Sequence, residues 1–265
     1  MINDNLILTG LTGYIGSKLV NRLKNYNLHE INRHSFDTEY KIFSDQDENN
    51  EFTLVHLATF FSKDNSKEKE IYDGNIIFGN KILEAIDEIN VKKIIYTNTM
   101  FNFYKEKELR ECIYSKTKKE FSDTLKEYCI SKKILYEEIY LDNTFGINDK
   151  RPKLIPLIVK KIKNKEQNPI KNPNNLINLM HVEDVVERIL ISINSNYESS
   201  STAFVSDYSI NVNSIYEFLS YYSQTRKINK DLIIKCKNEY TKESPTIDHK
   251  SIQIRDNLIE LTKLI

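Results

Sequence analysis

The chain has 265 residues, and its 38 basic residues balance its 38 acidic residues, so the formal net charge is zero. This length suits one large domain, or one domain with a small additional lobe. The balanced charge argues against a protein dedicated to binding nucleic acid or an anionic membrane, because such proteins usually carry an excess of basic residues.

The three cysteines, Cys112, Cys129 and Cys236, match neither the spacing of a zinc site nor a disulfide framework. They favour a reducing compartment, and we predict no metal site. We expect no secretory signal peptide, and no apolar run approaches the length of a membrane span. The sequence therefore predicts a cytoplasmic protein that binds no membrane.

Strand-like and helix-like patterns alternate through the first part of the chain. Residues 52–58 (FTLVHLA) are apolar almost throughout, as in strands that are buried on both faces of a sheet. The predicted elements, in chain order, are a strand at 5–8, a helix at 14–24, strands at 28–33, 40–43 and 52–58, a helix at 71–89, a strand at 92–97, a helix at 113–128 and a strand at 134–141. This alternation predicts an α/β fold with a doubly wound parallel sheet.

Beyond Gly146 the sequence is more polar and less regular. The predicted elements here are helices at 151–165, 181–194 and 213–222, a short element at 203–206, a polar connector at 166–178 and a charged, loop-like tail. We therefore expect a main domain over residues 1–146 and a smaller lobe over residues 147–265. Some elements of the smaller lobe are expected to return to the main sheet.

Three glycines lie between the first predicted strand and the first predicted helix. Gly10, Gly13 and Gly16 have the spacing GxxGxxG, which permits a tight turn, a close approach of backbone to a pyrophosphate, and close packing of helix on strand. The N–H groups at the start of the helix would face the phosphates. The sequence thus predicts a Rossmann dinucleotide-binding domain, and the predicted contacts in this turn also include Thr12, Tyr14 and Ile15.

The choice between the two nicotinamide cofactors depends on the end of the second strand. An acid there bonds the ribose 2′-hydroxyl of NAD, whereas an arginine suits the additional phosphate of NADP. Arg33 lies 17 residues after Gly16 (33 − 16). We therefore predict a preference for NADPH. NAD stays possible, because a solvated surface arginine is the alternative interpretation.

A tyrosine and a lysine four residues apart indicate proton transfer. Tyr114 and Lys118 would share one face of the predicted helix. An ammonium group beside a phenol lowers the pKa of the phenol toward neutrality, and the same lysine can bond a ribose. Thr99, which follows the strand KKIIYT, is the candidate for holding a substrate oxygen.

Seven motifs then occur in the order that is typical of one family, over residues 6 to about 190. They are TGLTGYIG (9–16), VHLAT (55–59), GNIIFGNKILEA (74–85), IIYTNT (94–99), YSKTK (114–118), NTFGINDKR (143–151) and MHVEDVV (180–186). In these motifs the chain resembles the extended short-chain dehydrogenases/reductases, in the nucleotide-sugar branch of the NAD-dependent epimerase/dehydratase family.

The resemblance implies roles for individual residues and a class of substrate. It implies that Tyr114 is the acid/base, that Thr99 orients the substrate oxygen, and that Lys118 is the partner of Tyr114. Further cofactor contacts are implied for Leu57, Ala58, Thr59 and Thr97, and contacts with a nucleotide-sugar substrate for Asn143 and Arg151. The resemblance also implies a homodimer that pairs through the helix carrying the tyrosine.

A narrower resemblance points to reduction. Thr99 and Tyr114 are only 15 residues apart (114 − 99), and HLAT, TNTMF and GINDKRPKLIP are similar to segments of the CDP-abequose and CDP-paratose synthase type. That type implies NADPH-dependent reduction of the 4-keto group of a nucleotide-linked deoxy sugar for surface polysaccharides. The alternatives are an NAD-dependent 4-epimerase and a non-catalytic dinucleotide sensor, although the intact Tyr–Lys pair counts against the sensor.

Overall fold

The structure is a computed structural model that describes residues 5–33, 50–62, 65–166, 170, 172–195, 198–241, 244–248 and 257–265. The predicted strand at 40–43 lies outside the described residues. The chain divides into two compact units. The first comprises Met1–Leu141, Val186–Ala203 and Tyr240–Thr246, and the second comprises Asp142–Val185, Phe204–Glu239 and Ile247–Ile265.

The described residues form the following strands and helices. The strands are β1 (Asn5–Thr9), β2 (Asn27–Ile31), β3 (Phe52–His56), β4 (Val91–Thr99), β5 (Leu135–Leu141), β6 (Asn143–Phe145), β7 (Leu176–His181), β8 (Ser200–Phe204), β9 (Tyr208–Asn211), β10 (Lys235–Lys237) and β11 (Thr246–Ile247). The helices are α1 (Tyr14–Leu19), α2 (Glu68–Tyr72), α3 (Phe78–Ile86), α4 (Lys107–Arg110), α5 (Ile113–Lys132), α6 (Leu154–Lys163), α7 (Val182–Asn194) and α8 (Val212–Thr225).

The main sheet has seven strands in the order β11-β8-β5-β4-β3-β1-β2. β1 pairs in parallel with both β2 and β3, β3 with β4, and β4 with β5. Strands that follow β1 therefore add on both of its sides, as in a doubly wound sheet. The predicted α/β fold of the Rossmann type is confirmed.

Two of the predicted helices differ from the structure. The helix predicted at 14–24 stops at Leu19 and continues as a 3₁₀ turn over Val20–Arg22. The helix predicted at 71–89 is present as α2 and α3, which are joined by a π-helical turn over Asp73–Ile77. A π turn contains one more residue than an α turn, which a regular apolar periodicity does not reveal.

One face of the main sheet packs on α3 and α5. Its buried cluster includes Ile7, Leu54 and Ile94 from the strands, Ile82 from α3 and Phe121 from α5. The strands contribute every second residue to this face because side chains alternate across a sheet. The burial of these apolar side chains fixes the helix that carries Tyr114 against the sheet.

A buried carboxylate ties α7 to the central strands. Glu137 of β5 is 2.8 Å from the Arg188 guanidinium of α7 and 3.0 Å from the Lys93 amine of β4. The Ser192 hydroxyl donates to the same carboxylate at 2.7 Å. Burial raises the pKa of Glu137, but the bond from Ser192 and the two cations outweigh it, so the pKa lies below its usual value.

The next residue along β5, Glu138, attaches a helix to the opposite face of the sheet. The fully buried Glu138 carboxylate accepts hydrogen bonds from Asn98 at 2.6 Å and Ser201 at 2.9 Å, and lies 2.9 Å from the Lys126 amine of α5. Ser122 of α5 donates at 2.5 Å. Burial raises the pKa of Glu138, but these donors, Lys126 first, hold it below its usual value. The two carboxylates therefore attach one helix to each face of the sheet.

The second unit contains a four-stranded sheet in the order β10-β9-β7-β6. β7 begins at Leu176, so the prediction of a polar connector through residue 178 was wrong at its end. The reason is that the Asn178 side chain is buried and donates to the backbone carbonyls of Ser206 and Tyr208. The tail predicted as a loop also contains β10, β11 and a 3₁₀ segment over Asn257–Leu264.

Among the described residues, the structure contains no helix with the length and hydrophobicity needed to span a membrane.

We predict that Gly79→Ala destabilises the protein. Alanine has a higher helix propensity than glycine. However, a β-carbon at position 79 would lie 2.6 Å from a ring carbon of Phe121. Overpacking of this kind costs about 1–3 kcal/mol, which exceeds the gain in helix propensity of about 0.5–1 kcal/mol. Urea denaturation measures the change, with the exposed Glu84→Ala of the same helix as the control. A variant at least as stable as the wild type would contradict the packing of α3 on α5.

Candidate active site

The glycine turn after β1 is tightly packed, and of its three glycines Gly13 is the exposed one. Gly10 has φ +80°, and a β-carbon there would lie 2.7 Å from the amide nitrogen of Ala58. A β-carbon on Gly16 would lie 2.8 Å from the Cα of Leu11. The Gly13 amide donates to the Gly10 carbonyl at 3.0 Å, and no side chain caps the start of α1. The turn therefore fits a dinucleotide whose phosphates approach the main chain.

The remaining predicted residues of this turn differ in exposure. Thr12 is exposed, whereas Tyr14 and Ile15 are half-buried in the first turn of α1.

The loop after β3 is fixed beside the glycine turn. The Leu57 amide donates to the Thr9 carbonyl at 3.3 Å, and the Ala58 amide donates to the Thr9 hydroxyl oxygen at 3.2 Å. That hydroxyl also lies 2.9 Å from Nδ1 of His56. Burial, together with the nearby Lys118, lowers the pKa of His56 to about 3, so this histidine is a neutral core residue.

A side chain that the sequence analysis did not select connects this loop to α5. Asn75, in the π turn, accepts from the Thr59 hydroxyl at 2.9 Å and from the Phe60 amide at 2.8 Å. Its Nδ2 donates to the Phe60 carbonyl at 3.3 Å and to the Thr117 hydroxyl at 3.0 Å. An asparagine within an otherwise apolar helix pattern (GNIIFG) was the signal that could have identified it.

Lys118 is buried beneath the end of β4. Its amine donates to the Thr97 carbonyl at 2.7 Å and lies 4.1 Å from the centre of the Tyr96 ring. Burial lowers the pKa of Lys118 to about 7, although the negative charge of Glu138 acts in the opposite direction. The amine can therefore take up and release a proton near neutral pH.

Tyr114 lies one helical turn before Lys118 among aromatic rings. Its ring is edge-on to Phe61, with centroids 4.9 Å apart, and its centroid is 6.1 Å from that of Phe101. The Phe101 amide donates to the Thr99 hydroxyl oxygen at 3.2 Å. Because this bond uses a lone pair of the hydroxyl, the hydrogen of Thr99 can be donated elsewhere. Thr97 and Thr99 thus lie at the end of β4, where the Lys118 amine bonds the Thr97 carbonyl and the Tyr114 ring contacts Phe101, two residues after the strand.

Arg33 follows β2 by two residues and is exposed. Its guanidinium carbon is 5.9 Å from the centre of the Phe60 ring. The residue predicted to select the cofactor therefore contacts the loop that Asn75 fixes.

The two predicted substrate residues lie in the second unit. The Asn143 backbone and side-chain amides both donate to Asp142, at 2.8 and 2.6 Å. Arg151 forms two bonds of 2.7 Å with the Asp149 carboxylate and also donates to the Thr144 carbonyl and hydroxyl at 3.0 Å. The positive charge of Arg151 is thus already compensated, and its role in binding substrate stays a prediction.

Within the part of the chain that the structure describes, no group of three or more histidine, cysteine, aspartate or glutamate residues is arranged to hold a metal ion. The ring nitrogen Nε2 of His181 instead contacts the carboxylate of Glu260.

A model of the NAD dependent epimerase/dehydratase family matches residues 6–205. The chain belongs to this family. The match includes the glycine turn, the loop after β3 and the Tyr–Lys pair on α5, so the family resemblance predicted from the motifs is confirmed. This chain is similar to CDP-abequose synthase of Salmonella muenchen. The two are 24% identical over 204 residues, which cover 71% of this chain and 70% of the relative. CDP-abequose synthase of Yersinia pseudotuberculosis is 21% identical over 251 residues, 86% of each chain.

Solved structures show the same fold. The structure of UDP-N-acetylglucosamine 4-epimerase from Methanobrevibacter ruminantium, in complex with UDP-N-acetylmuramic acid, matches with a TM-score of 0.75 at 20% identity. The match covers 100% of this chain and 97% of the epimerase chain. UDP-glucuronic acid 4-epimerase from Bacillus cereus, in complex with NAD, has a TM-score of 0.73 at 14% identity, with 97% of this chain and 96% of its own covered.

The lowered pKa of Lys118 predicts a characteristic pH dependence of stability. An unfolded lysine has a pKa of about 10.4, so the unfolded chain binds more protons than the folded chain between about pH 7 and that value. Stability therefore rises with pH over this window, whereas below about pH 7 the full cost of the buried charge remains.

Removal of the amine should abolish this contribution. In urea denaturation, the free energy of unfolding of the wild type should gain about 2 kcal/mol relative to Lys118→Met between about pH 7 and about pH 9. The exposed neighbour Lys116→Met is the control and should follow the wild type. Parallel pH profiles for the wild type and Lys118→Met would show that the pKa of Lys118 is not lowered.

Proposed function

We propose that this protein is an enzyme that uses NADPH to reduce the 4-keto group of a nucleotide-linked deoxy sugar. The observation that carries the proposal is the position of Tyr114. Tyr114 lies one helical turn before the buried Lys118, and its ring contacts the rings of Phe61 and Phe101. The similarity to two CDP-abequose synthases supports a substrate of this class.

In the proposed complex the cofactor lies along the glycine turn and the loop after β3. Gly10, Gly13 and Gly16, with Thr12, Tyr14 and Ile15, hold the phosphates, and Leu57, Ala58, Thr59 and Thr97 complete the cofactor site. Arg33 binds the 2′-phosphate that distinguishes NADPH from NADH. When it is bound, NADPH supplies the hydride for the keto carbon.

The side chains at the end of β4 supply the proton and hold the substrate. The Thr99 hydroxyl, whose oxygen is fixed by the Phe101 amide, donates to the keto oxygen. Tyr114 gives its proton to the same oxygen as the carbonyl is reduced. Lys118 in its charged form is proposed to stabilise the negative charge of an ionised Tyr114, and it also bonds the ribose next to the nicotinamide.

The aromatic rings beside Tyr114 support a deoxygenated sugar. In the proposed complex the sugar would lie beside Phe61 and Phe101, whose rings offer no hydrogen-bonding partner to a hydroxyl group. A hydroxyl group that loses water without gaining a partner costs free energy, whereas a methyl or methylene group is favoured by such contacts.

Further features of the proposal rest on the family resemblance. Asn143 and Arg151 are proposed to contact the substrate, and the product is proposed to serve surface polysaccharide synthesis in the cytoplasm. We also propose a homodimer that pairs through α5, on which the Ile130 side chain is 79% exposed.

The second candidate is a nucleotide-sugar 4-epimerase with tightly bound NAD, since structures of 4-epimerases superpose on this chain over nearly its full length. An epimerase would use Thr99, Tyr114 and Lys118 both to oxidise and to reduce the sugar. A non-catalytic dinucleotide sensor is supported less well, because the tyrosine and lysine are both present.

We predict that Tyr114→Phe abolishes most of the activity. The change removes only the hydroxyl group, so NADPH affinity should persist while reduction of a nucleotide-linked 4-keto sugar slows by about two to four powers of ten. Thr99→Val should also slow turnover without changing NADPH affinity. Tyr128→Phe is the matched control, because Tyr128 lies on the same helix but bonds Asp87. A wild-type rate for Tyr114→Phe would show that the Tyr–Lys pair is not the catalytic centre, whereas a wild type that reduces no keto sugar would favour the sensor.

The reductase and the epimerase differ in how they hold the cofactor. A reductase must exchange its cofactor in every turnover, whereas an epimerase restores it in place. Acid denaturation of the purified protein should therefore release little NAD or NADP, as measured by chromatography of the extract. Release of about one equivalent of NAD per chain would favour the epimerase.

A further inference from the structure

The guanidinium of Arg33 occupies a space beside Phe60 and Gly74. Its guanidinium stands 5.9 Å from the centre of the Phe60 ring. A β-carbon built on Gly74 would lie 2.7 Å from a terminal nitrogen of Arg33 and 2.7 Å from the β-carbon of Phe60. These contacts are far shorter than atoms tolerate, so the guanidinium occupies its position only because residue 74 has no side chain.

Phe60 cannot easily move away from Gly74. Asn75 binds both the amide and the carbonyl of Phe60, at 2.8 and 3.3 Å, and also binds Thr59 and Thr117. Of the two groups that a side chain at position 74 would meet, the end of the flexible Arg33 side chain moves most easily. A larger residue at position 74 should therefore displace the guanidinium, whereas the 2.7 Å contact with the β-carbon of Phe60 is relieved only by a small shift of the backbone.

Gly74 is also an unfavourable residue for a helix. It is buried within the π turn over Asp73–Ile77, where alanine would lose less conformational entropy on folding. The glycine does not have a positive φ, so its backbone does not require it. The requirement for glycine therefore comes from the space that Arg33 and Phe60 occupy.

We propose that Gly74 and Phe60 form a seat that holds Arg33 in the orientation that binds the 2′-phosphate of NADPH, which makes Gly74 a determinant of cofactor selectivity. This inference rests on the proposed use of NADPH. A long arginine side chain loses rotamer freedom when it binds a phosphate, and a prearranged guanidinium loses less. Gly74 is thus a positioning residue that acts through Arg33.

Calorimetry of NADPH and NADH binding tests the seat. The wild type should prefer NADPH by roughly tenfold to a hundredfold, as expected for charge-assisted bonds to one phosphate. Gly74→Ala should reduce that preference at least fivefold while the Kd for NADH stays within about twofold. In an Arg33→Ala background, Gly74→Ala should cause no further loss, because its effect passes through Arg33. Ile77→Ala, an exposed change in the same π turn, is the control and should preserve the preference.

The possible results separate this inference from the proposed function. Equal affinity of the wild type for the two cofactors would overturn the NADPH assignment and the inference together. A wild-type preference that persists in Gly74→Ala, or an equal weakening of both cofactors, would overturn the inference alone. If Gly74→Ala also lowers the ratio of NADPH affinity to NADH affinity in the Arg33→Ala background, its effect does not pass through Arg33. That result would also overturn the inference.

If Gly74→Ala does not fold, Phe60→Leu provides the second test. It keeps an apolar side chain but removes the ring beside the guanidinium, and it should lower the NADPH preference by about twofold to fivefold. An unchanged preference in Phe60→Leu would then overturn the seat.

Discussion

The first unit depends on two neighbouring carboxylates that are both buried. The Glu137 and Glu138 side chains point to opposite faces of the sheet, so the two carboxylates are buried in different surroundings. A buried charge is tolerated only where cations and hydrogen-bond donors surround it. One face therefore requires Arg188 of α7 and the other requires Lys126 of α5. The helix that presents Tyr114 is thus anchored by an ion pair further along its own length, and its apolar face needs only to complete the packing.

The anchored helix allows a lysine to be buried where it is chemically useful. Lys118 lies against the Tyr96 ring and the Thr97 carbonyl, both of which favour its charged form. Burial opposes them and brings the pKa of Lys118 to about 7. In the proposed reaction, an amine poised in this way can both stabilise an ionised Tyr114 and help to return its proton.

Local patterns explain what the sequence could predict. The alternation of strands and helices, the turn at Gly10 and the spacing of Tyr114 and Lys118 each depend on residues close in the chain, and each is present as predicted. The partners of Glu137 and Glu138 lie far away in sequence, and no periodicity identifies them. Asn75 interrupts an apolar pattern and could have been noticed, but its role depends on contacts with two other segments. The polar Asn178 suggested a loop because the carbonyl groups that satisfy it were not visible in the sequence.

The π turn has a consequence for how this chain can change during evolution. A π turn is equivalent to one residue inserted into an α-helix. Loss of a single codon from Asp73–Ile77 would restore a regular helix and rotate the preceding part by about 100°, the angle between successive α-helical residues. The Arg33 seat and the bond to Thr117 would then disappear in one step. Insertions and deletions here are therefore constrained far more strictly than substitutions on the outer face of the same helix, where Tyr72 and Ile77 are exposed.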